Sequence, residues 1–382
     1  MRKKHFLFAS VLALLCGSST LHAQDFKLTS SGYFKNQGVD VMAFDDIYPE
    51  GHQGGVCIIM NGHRVATNGD IRLEATPGQW QPVPKQLDRK LGDNSITATL
   101  CYPDSSRHLT GFNPMIYPDL HLIYTVNVES KGKNIEVTVD LDRPIPQEFI
   151  GKVGFNLEFF PGSLFGKPWI MDGQSGIFPQ QPNSPLMTTQ PNYLHTGNYH
   201  DGKKSLADMD KLIGKGYSPI VADDIISEPY AKGTKFTSRP DDPYNKVTIE
   251  SLSGDLQLFD GRMNHNNGWF VLRSNIKPGV TKGAVKWIIT PNVVADWMYQ
   301  PVIQTSQIGY HPTQDKEAVI EMDIRDNRKE TAQIIRIDAD GEKVVKNVTP
   351  ANWGKFLRYN YLKVDFTDVK EAGLYKIKYD TS

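Results

Sequence analysis

Leu122-Ile-Tyr-Thr-Val-Asn-Val128 and Ile135-Glu-Val-Thr-Val-Asp-Leu141, joined through Ser130-Lys-Gly-Lys133, set the reading of this chain. Both runs alternate apolar and polar residues, and β-branched side chains crowd the apolar positions. A period of two puts one face of each run into a core and the other into water, and the glycine between them allows a tight reversal. The pair is therefore a β-hairpin. Runs of the same character recur at residues 56–60, 96–102, 153–160, 246–251, 255–259, 269–273 and 284–290, with turn residues between them. Short strands at regular spacing predict an all-β chain, and there are too many for one small sandwich.

The first residues follow a different logic. Arg2, Lys3 and Lys4 precede an apolar run from Phe6 to Leu15, and small and polar residues follow up to Ala23. This is the pattern of a secretory signal cleaved after Ala23, and the run is too short to span a bilayer. Export to the periplasm or the extracellular space is the expectation. Lipid anchoring through Cys16 is disfavoured because Leu15 stands where a small residue is needed. No later run is long enough for a membrane span. Loss of the leader removes three of the 42 basic residues and none of the 43 acidic ones, so the exported chain carries a net charge of about −4. A whole-chain balance of this kind excludes a nucleic-acid partner and favours a neutral substrate. Cys57 and Cys101 each lie in an apolar run; an oxidising compartment permits a disulfide, and two buried thiols satisfy the same pattern.

From Phe160 to Thr234 the pattern breaks into a stretch rich in Pro, Gly, Asn and Gln, including Pro161, Pro168, Pro179, Pro182, Pro185 and Pro191. Proline removes ladder donors, so the stretch reads as a long functional loop. One short helix is expected inside it, capped by Ser205, with Leu206, Met209, Leu212 and Ile213 on one face and Gly214 as its stop. A boundary falls between residues 296 and 301. The expected organisation is a signal peptide at 1–23, a large β-sandwich at 24–298 and a small immunoglobulin-like β-sandwich at 299–382.

The last unit carries the most specific signal. Ser306-Gln-Ile-Gly-Tyr310, Pro312, the strand after Lys316, Asp365-Phe366 and Gly373-Leu-Tyr375 together resemble the immunoglobulin-like module that precedes the catalytic barrel of family 9 glycoside hydrolases, the cellulase and endoglucanase type. Ser306 and Ile308 replace the Asn and Val usual in that family. The resemblance implies breakdown of O-glycosyl bonds in a plant-type polysaccharide such as a β-glucan. It also implies that the chain stops where the catalytic barrel should begin, so that a C-terminal barrel in a longer protein is the expected partner. Tyr375 is expected to serve as a tyrosine corner. The first 275 residues resemble, at the level of architecture alone, the large β-sandwich of the galactose-mutarotase type.

No catalytic residue, metal site or cofactor is assigned. The family's Asp-Ala-Gly-Asp motif is absent, and Asp338-Ala-Asp-Gly341 sits in a hairpin turn. Gly197 to Lys204 approximates a phosphate-binding loop but places Lys204 where Ser or Thr must hold magnesium. Gly173-Gln-Ser-Gly176 is one residue short of a nucleophile elbow. His195 and His200 lack the helical Glu of a zinc protease. Sugar rings stack on flat aromatic faces, so Trp169, Asp172, Tyr193 and Trp269, with Phe165 and the amides of residues 264–267, are the candidates for contact with a polysaccharide or oligosaccharide. A stand-alone glycan-binding protein, or a sugar-active enzyme with its site in the large sandwich, is the alternative.

Overall fold

The computed structural model describes residues 25–45, 54–74, 77, 84–104, 120–183, 228–263 and 268–381. The predicted signal peptide, the predicted helix at 205–214, Tyr193, His195, His200 and residues 264–267 lie outside them. Among the described residues the regular structure is strand, with a few short 3-10 turns and no α-helix.

Alternation along each strand builds two large sheets. The first runs in the order β1 (Lys27–Leu28), β2 (Phe34–Asn36), β3 (Val39–Ala43), β4 (Val56–Met60), β5 (His63–Leu73), β10 (Val153–Phe159), β17 (Phe270–Asn275), β16 (Leu256–Asp260) and β13 (Ala231–Gly233). The second runs β12 (Gln174–Ile177), β11 (Pro168–Met171), β14 (Lys235–Ser238), β15 (Val247–Ser251), β18 (Val285–Pro291), β9 (Asn134–Leu141), β8 (Leu122–Lys131), β7 (Ser95–Tyr102) and β6 (Lys85–Leu91). Neighbouring strands pair antiparallel, and the hairpin of β8 and β9 sets Tyr124 opposite Leu141, Val126 opposite Val139 and Val128 opposite Val137. Those inward residues, with Ile135 and Leu122, are buried, and their neighbours in sequence are not.

One core lies between the two sheets. Phe155 of β10 meets Trp287 of β18 edge to face with ring centroids 5.0 Å apart, and Trp287 donates its Nε1–H to Ser274 Oγ at 3.0 Å. A buried indole is tolerated here because its one polar atom finds an acceptor. Cys57 on β4 and Cys101 on β7 belong to different sheets and are both thiols.

The Pro-rich stretch departs from its sequence reading. Its described part contains the hairpin of β11 and β12, and β11 pairs with β14 as an ordinary member of the second sheet. Pro168 is the first residue of its strand, a place where the missing N–H does little harm. Arg262 ties this part down. Its guanidinium pairs with Asp260, donates to the carbonyls of Pro179 and Gln180 at 2.8 Å, and lies over the rings of Phe165 and Phe270.

After residue 301 two smaller sheets enclose a second core. One has the order β19 (Val302–Gln304), β20 (Glu317–Asp323), β24 (Tyr359–Asp365), β23 (Ala351–Phe356); the other β22 (Gly341–Val348), β21 (Ala332–Asp338), β25 (Leu374–Lys378). Ala318, Ile320, Met322, Leu362 and Val364 of the first sheet pack against Ala332 and Ile334 of the second, with Phe366 and Tyr379 closing the ends. This is an immunoglobulin-like sandwich. Tyr375 donates its hydroxyl to Glu371 O at 2.9 Å, the backward bond expected of a tyrosine corner.

The segment 292–301 joins the two groups of sheets through aromatic rings seated on glycines. A Cβ at Gly38 would come within 2.8 Å of the Trp297 ring, and one at Gly62 within 2.9 Å of the Tyr299 ring. Both glycines have positive φ, at the turns after β2 and β4. Gln37 and Arg325, one from each side, donate to the carbonyl of Trp297, and Arg358 pairs with Asp40 at 2.9 Å.

Candidate functional site

Three places gather functional side chains. The first is the face of the large sheet where β5, β10 and β17 run side by side. β10 is buried on both faces, so its alternate residues Asn156 and Glu158 are polar groups withdrawn from water. Arg273 on β17 meets Glu74 at 3.1 Å and also donates to Asn275 Oδ1 and to the carbonyls of Glu74 and Lys152; Asn156 donates to Glu74 Oε1 at 2.6 Å. Asp70 on β5 accepts from Tyr124 OH at 2.8 Å and from Ile71 N at 2.7 Å, with Arg72 at 3.7 Å. Burial raises the Asp70 carboxyl to about 6, and Arg72, Tyr124 and the backbone bond hold it from going higher. Burial likewise raises Glu74. The Arg273 group is saturated with acceptors, which is the economy of a buried structural pair: its strength lies in geometry, and removing either partner strands a charge.

The sequence candidates fall out differently. Trp169 is only 6% exposed, belongs to the core between the sheets, and presses on Gly176 so closely that a Cβ there would lie 2.4 Å from the indole. The stacking platform expected of it has no open indole face here. Asp172 spends its carboxylate on the backbone N–H groups of Thr234 and Lys235, at 2.8 and 3.0 Å, pinning two turns together. Trp269 is half-buried, edge to face with Phe160 at 4.3 Å. The structure does not bring these three to a common surface, and Tyr193 lies outside the described residues. Among the described residues no cluster of His, Cys, Asp and Glu is placed to hold a metal, and no helix is long and apolar enough to cross a membrane.

The second place is where the motif residues of the small sandwich converge. Tyr310 donates its hydroxyl to Glu317 O at 2.8 Å and receives Ser306 N at 3.0 Å, closing the loop, while its ring meets Phe366 edge to face at 5.1 Å. Lys316 is buried and its ammonium is caged by the carbonyls of Pro312, Gln314 and Thr367 at 2.9 to 3.1 Å. The result is a groove of about 620 Å³ between the edges of β19 and β25, walled by Ile303, Tyr310, Phe366, Leu374 and Ile377. Leu374 in its wall is 65% exposed, and Ile308, in the loop that lends Ser306 and Gly309 to the lining, is 99% exposed. The resemblance to the family 9 module marked the motif residues; only folding shows that they build one wall.

The third place escaped sequence reading. On the outer face of the first small sheet, rings follow one another as Trp353, Tyr361, Tyr359, Tyr299 and Trp297, with successive centroids 5.0 to 6.2 Å apart. Glu321 accepts from Tyr299 OH at 2.9 Å and Tyr361 OH at 3.2 Å, fixing their tilt. Trp353, 56% exposed, is the open end, and the other end enters a cleft of about 490 Å³ between the large and small sandwiches. Aromatic residues at period two on β24 are an available signal, but core packing explains such residues more often than binding does.

These observations define an immunoglobulin-like sandwich attached to a larger two-sheet β structure. Residues 298–382 match the family of the cellulase N-terminal Ig-like domain. Among curated protein sequences none matches the chain. The solved structure of HI1317 is 7% identical, the alignment covering 70% of this chain and 99% of that one with a TM-score of 0.28. The Slr1438 protein from Synechocystis sp. PCC 6803 is 11% identical over 76% of this chain and 100% of that one, with a TM-score of 0.31. Heparan sulfate lyase HepC from Pedobacter heparinus is 10% identical over 79% of this chain and 41% of that one, with a TM-score of 0.26.

Proposed function

We propose that the chain is the exported accessory region of a glycoside hydrolase acting on a β-glucan type of polysaccharide, and that it supports and orients a catalytic barrel of family 9 type. The observation that carries the reading is the match of residues 298–382 to the cellulase N-terminal Ig-like domain. The groove beside β25 supplies its physical content. An isoleucine almost wholly in water, in the loop that borders the groove, and an exposed leucine in the groove's wall are apolar side chains that gain by being covered. Full burial of one such side chain contributes roughly 1.5–3 kcal/mol. Catalysis is assigned to the barrel; the buried carboxylates of this chain are held by structural partners.

The test joins the chain to a family 9 catalytic barrel after Ser382 and measures thermal stability and release of reducing sugar from β-glucan. The joined barrel should melt higher than the barrel alone, and Ile308→Asp should remove most of that gain while the small sandwich stays folded. Equal melting of the barrel with and without the chain would overturn the proposal. The chain by itself should release no reducing sugar.

A further inference from the structure

The cleft between the two sandwiches holds charges that the module match does not account for. Lys27 of β1 and Lys35 of β2 are directly opposed across their ladder, and both line the cleft. Like charges in that relation repel and weaken a strand pair. Neither lysine has a hydrogen-bond or ion-pair partner among the described residues. An edge strand is often guarded by a lysine standing out in solvent; here two exposed lysines line one cleft, with Asp40 within electrostatic reach of Lys35. Arg358 adds a third cation. It donates from one nitrogen to Asp40, at 2.9 Å, and lines the same cleft. Asp323 is engaged by Arg325 at 2.9 Å, which leaves Asp25 as the one carboxylate on the wall without such a pairing.

The lining is also aromatic. Trp297, Tyr299 and Tyr359 bring half-buried rings to the same space, continuous with the row that ends at Trp353. Flat apolar rings in one cleft with ammonium and guanidinium groups are complementary to a ligand with apolar C–H faces and carboxylates on one edge. The cleft volume is that of a small-molecule or oligosaccharide site, and junctions between domains are where such sites form.

We infer that the cleft between the sandwiches binds an acidic oligosaccharide, with sugar rings against Trp297, Tyr299 and Tyr359 and a carboxylate on Lys27, Lys35 and Arg358. The inference rests on the reading of a polysaccharide-degrading assembly and departs from its β-glucan in one respect: the cleft takes a uronate-bearing chain. Whole-chain charge conceals this, because a net value of about −4 averages a local surplus of cations over the entire surface.

Calorimetric titration of the full chain with tetragalacturonate, and with cellotetraose as its uncharged counterpart, tests it. The acidic tetramer should bind, the neutral one at least about tenfold more weakly, and the preference should shrink with added salt. The double variant Lys27→Gln, Lys35→Gln relieves repulsion and keeps the fold; it should weaken the acidic ligand by about tenfold and leave cellotetraose unchanged. Equal binding of both tetramers, unaffected by the double variant, would overturn the acidic preference and leave the polysaccharide reading standing. Binding of neither would overturn the cleft as a site, while the barrel measurement decides the accessory role independently.

Discussion

Asp70 makes the stability of the large sandwich depend on pH in a direction opposite to that of most carboxylates. Its carboxyl, normally near 3.8, is raised to about 6 by burial, in spite of Arg72, Tyr124 OH and the Ile71 N–H. Between pH 4 and 6 the unfolded chain has already released this proton while the native chain still holds it. Raising the pH through that window therefore favours the unfolded state. Each pH unit of displacement is worth about 1.4 kcal/mol, so Asp70 costs the fold about 2.5 kcal/mol at pH 7 relative to pH 4, where the unfolded carboxyl is already half ionised. Burial raises Glu74 as well, which adds in the same sense. In Asp70→Asn the side-chain carbonyl keeps the bonds from Tyr124 and Ile71, and no charge is created as the pH rises. Urea unfolding of both proteins at pH 4, 5, 6 and 7, followed by circular dichroism, measures the difference directly. The variant should gain about 2.5 kcal/mol on the wild type between pH 4 and 7, most of it by pH 6.5. A difference that stays constant across the series would refute the argument that Asp70 is buried in its charged form at neutral pH.

Other perturbations probe the remaining sites. Arg273→Met leaves Glu74 buried without its cation and should destabilise the large sandwich by about 3–5 kcal/mol in urea unfolding, whereas changing Glu74 and Arg273 together to apolar residues should cost clearly less than that. Lys316→Met strands three carbonyls of the motif loop and should lower the stability of the small sandwich by about 3 kcal/mol. Gly62→Val forces a side chain onto the Tyr299 ring at a positive φ, so limited proteolysis should cut the segment 292–301 faster than in the wild type.

The strands themselves were open to reading from residue types. β4 begins and ends where its apolar run does, and the paired alternation of β8 and β9 announced both partners and the turn between them. A half-buried strand writes its two environments into successive residues, so local pattern suffices. β5, β6 and β23 were passed over for the same reason in reverse. β6 and β23 are largely exposed edge strands with little alternation, and β5 carries Asp70 and Arg72 in positions that local pattern reserves for solvent. Trp169 shows the limit from the other side. A tryptophan in a Pro-rich stretch reads as an exposed platform, and only the pairing of β11 with β14 carries it into the core.

The sequence by itself determined that the chain is all-β and that its last eighty or so residues carry the motifs of a cellulase-type module, because strand periodicity and contiguous motifs are local properties. Tertiary structure alone decided what those residues do together. It placed Tyr310, Lys316, Phe366 and Leu374 around one groove. It also set Lys27 and Lys35 in one cleft with Trp297 and Tyr359, more than 250 residues away along the chain. Sites of this kind are made of distances between residues remote in sequence, and those distances exist only once both cores have packed.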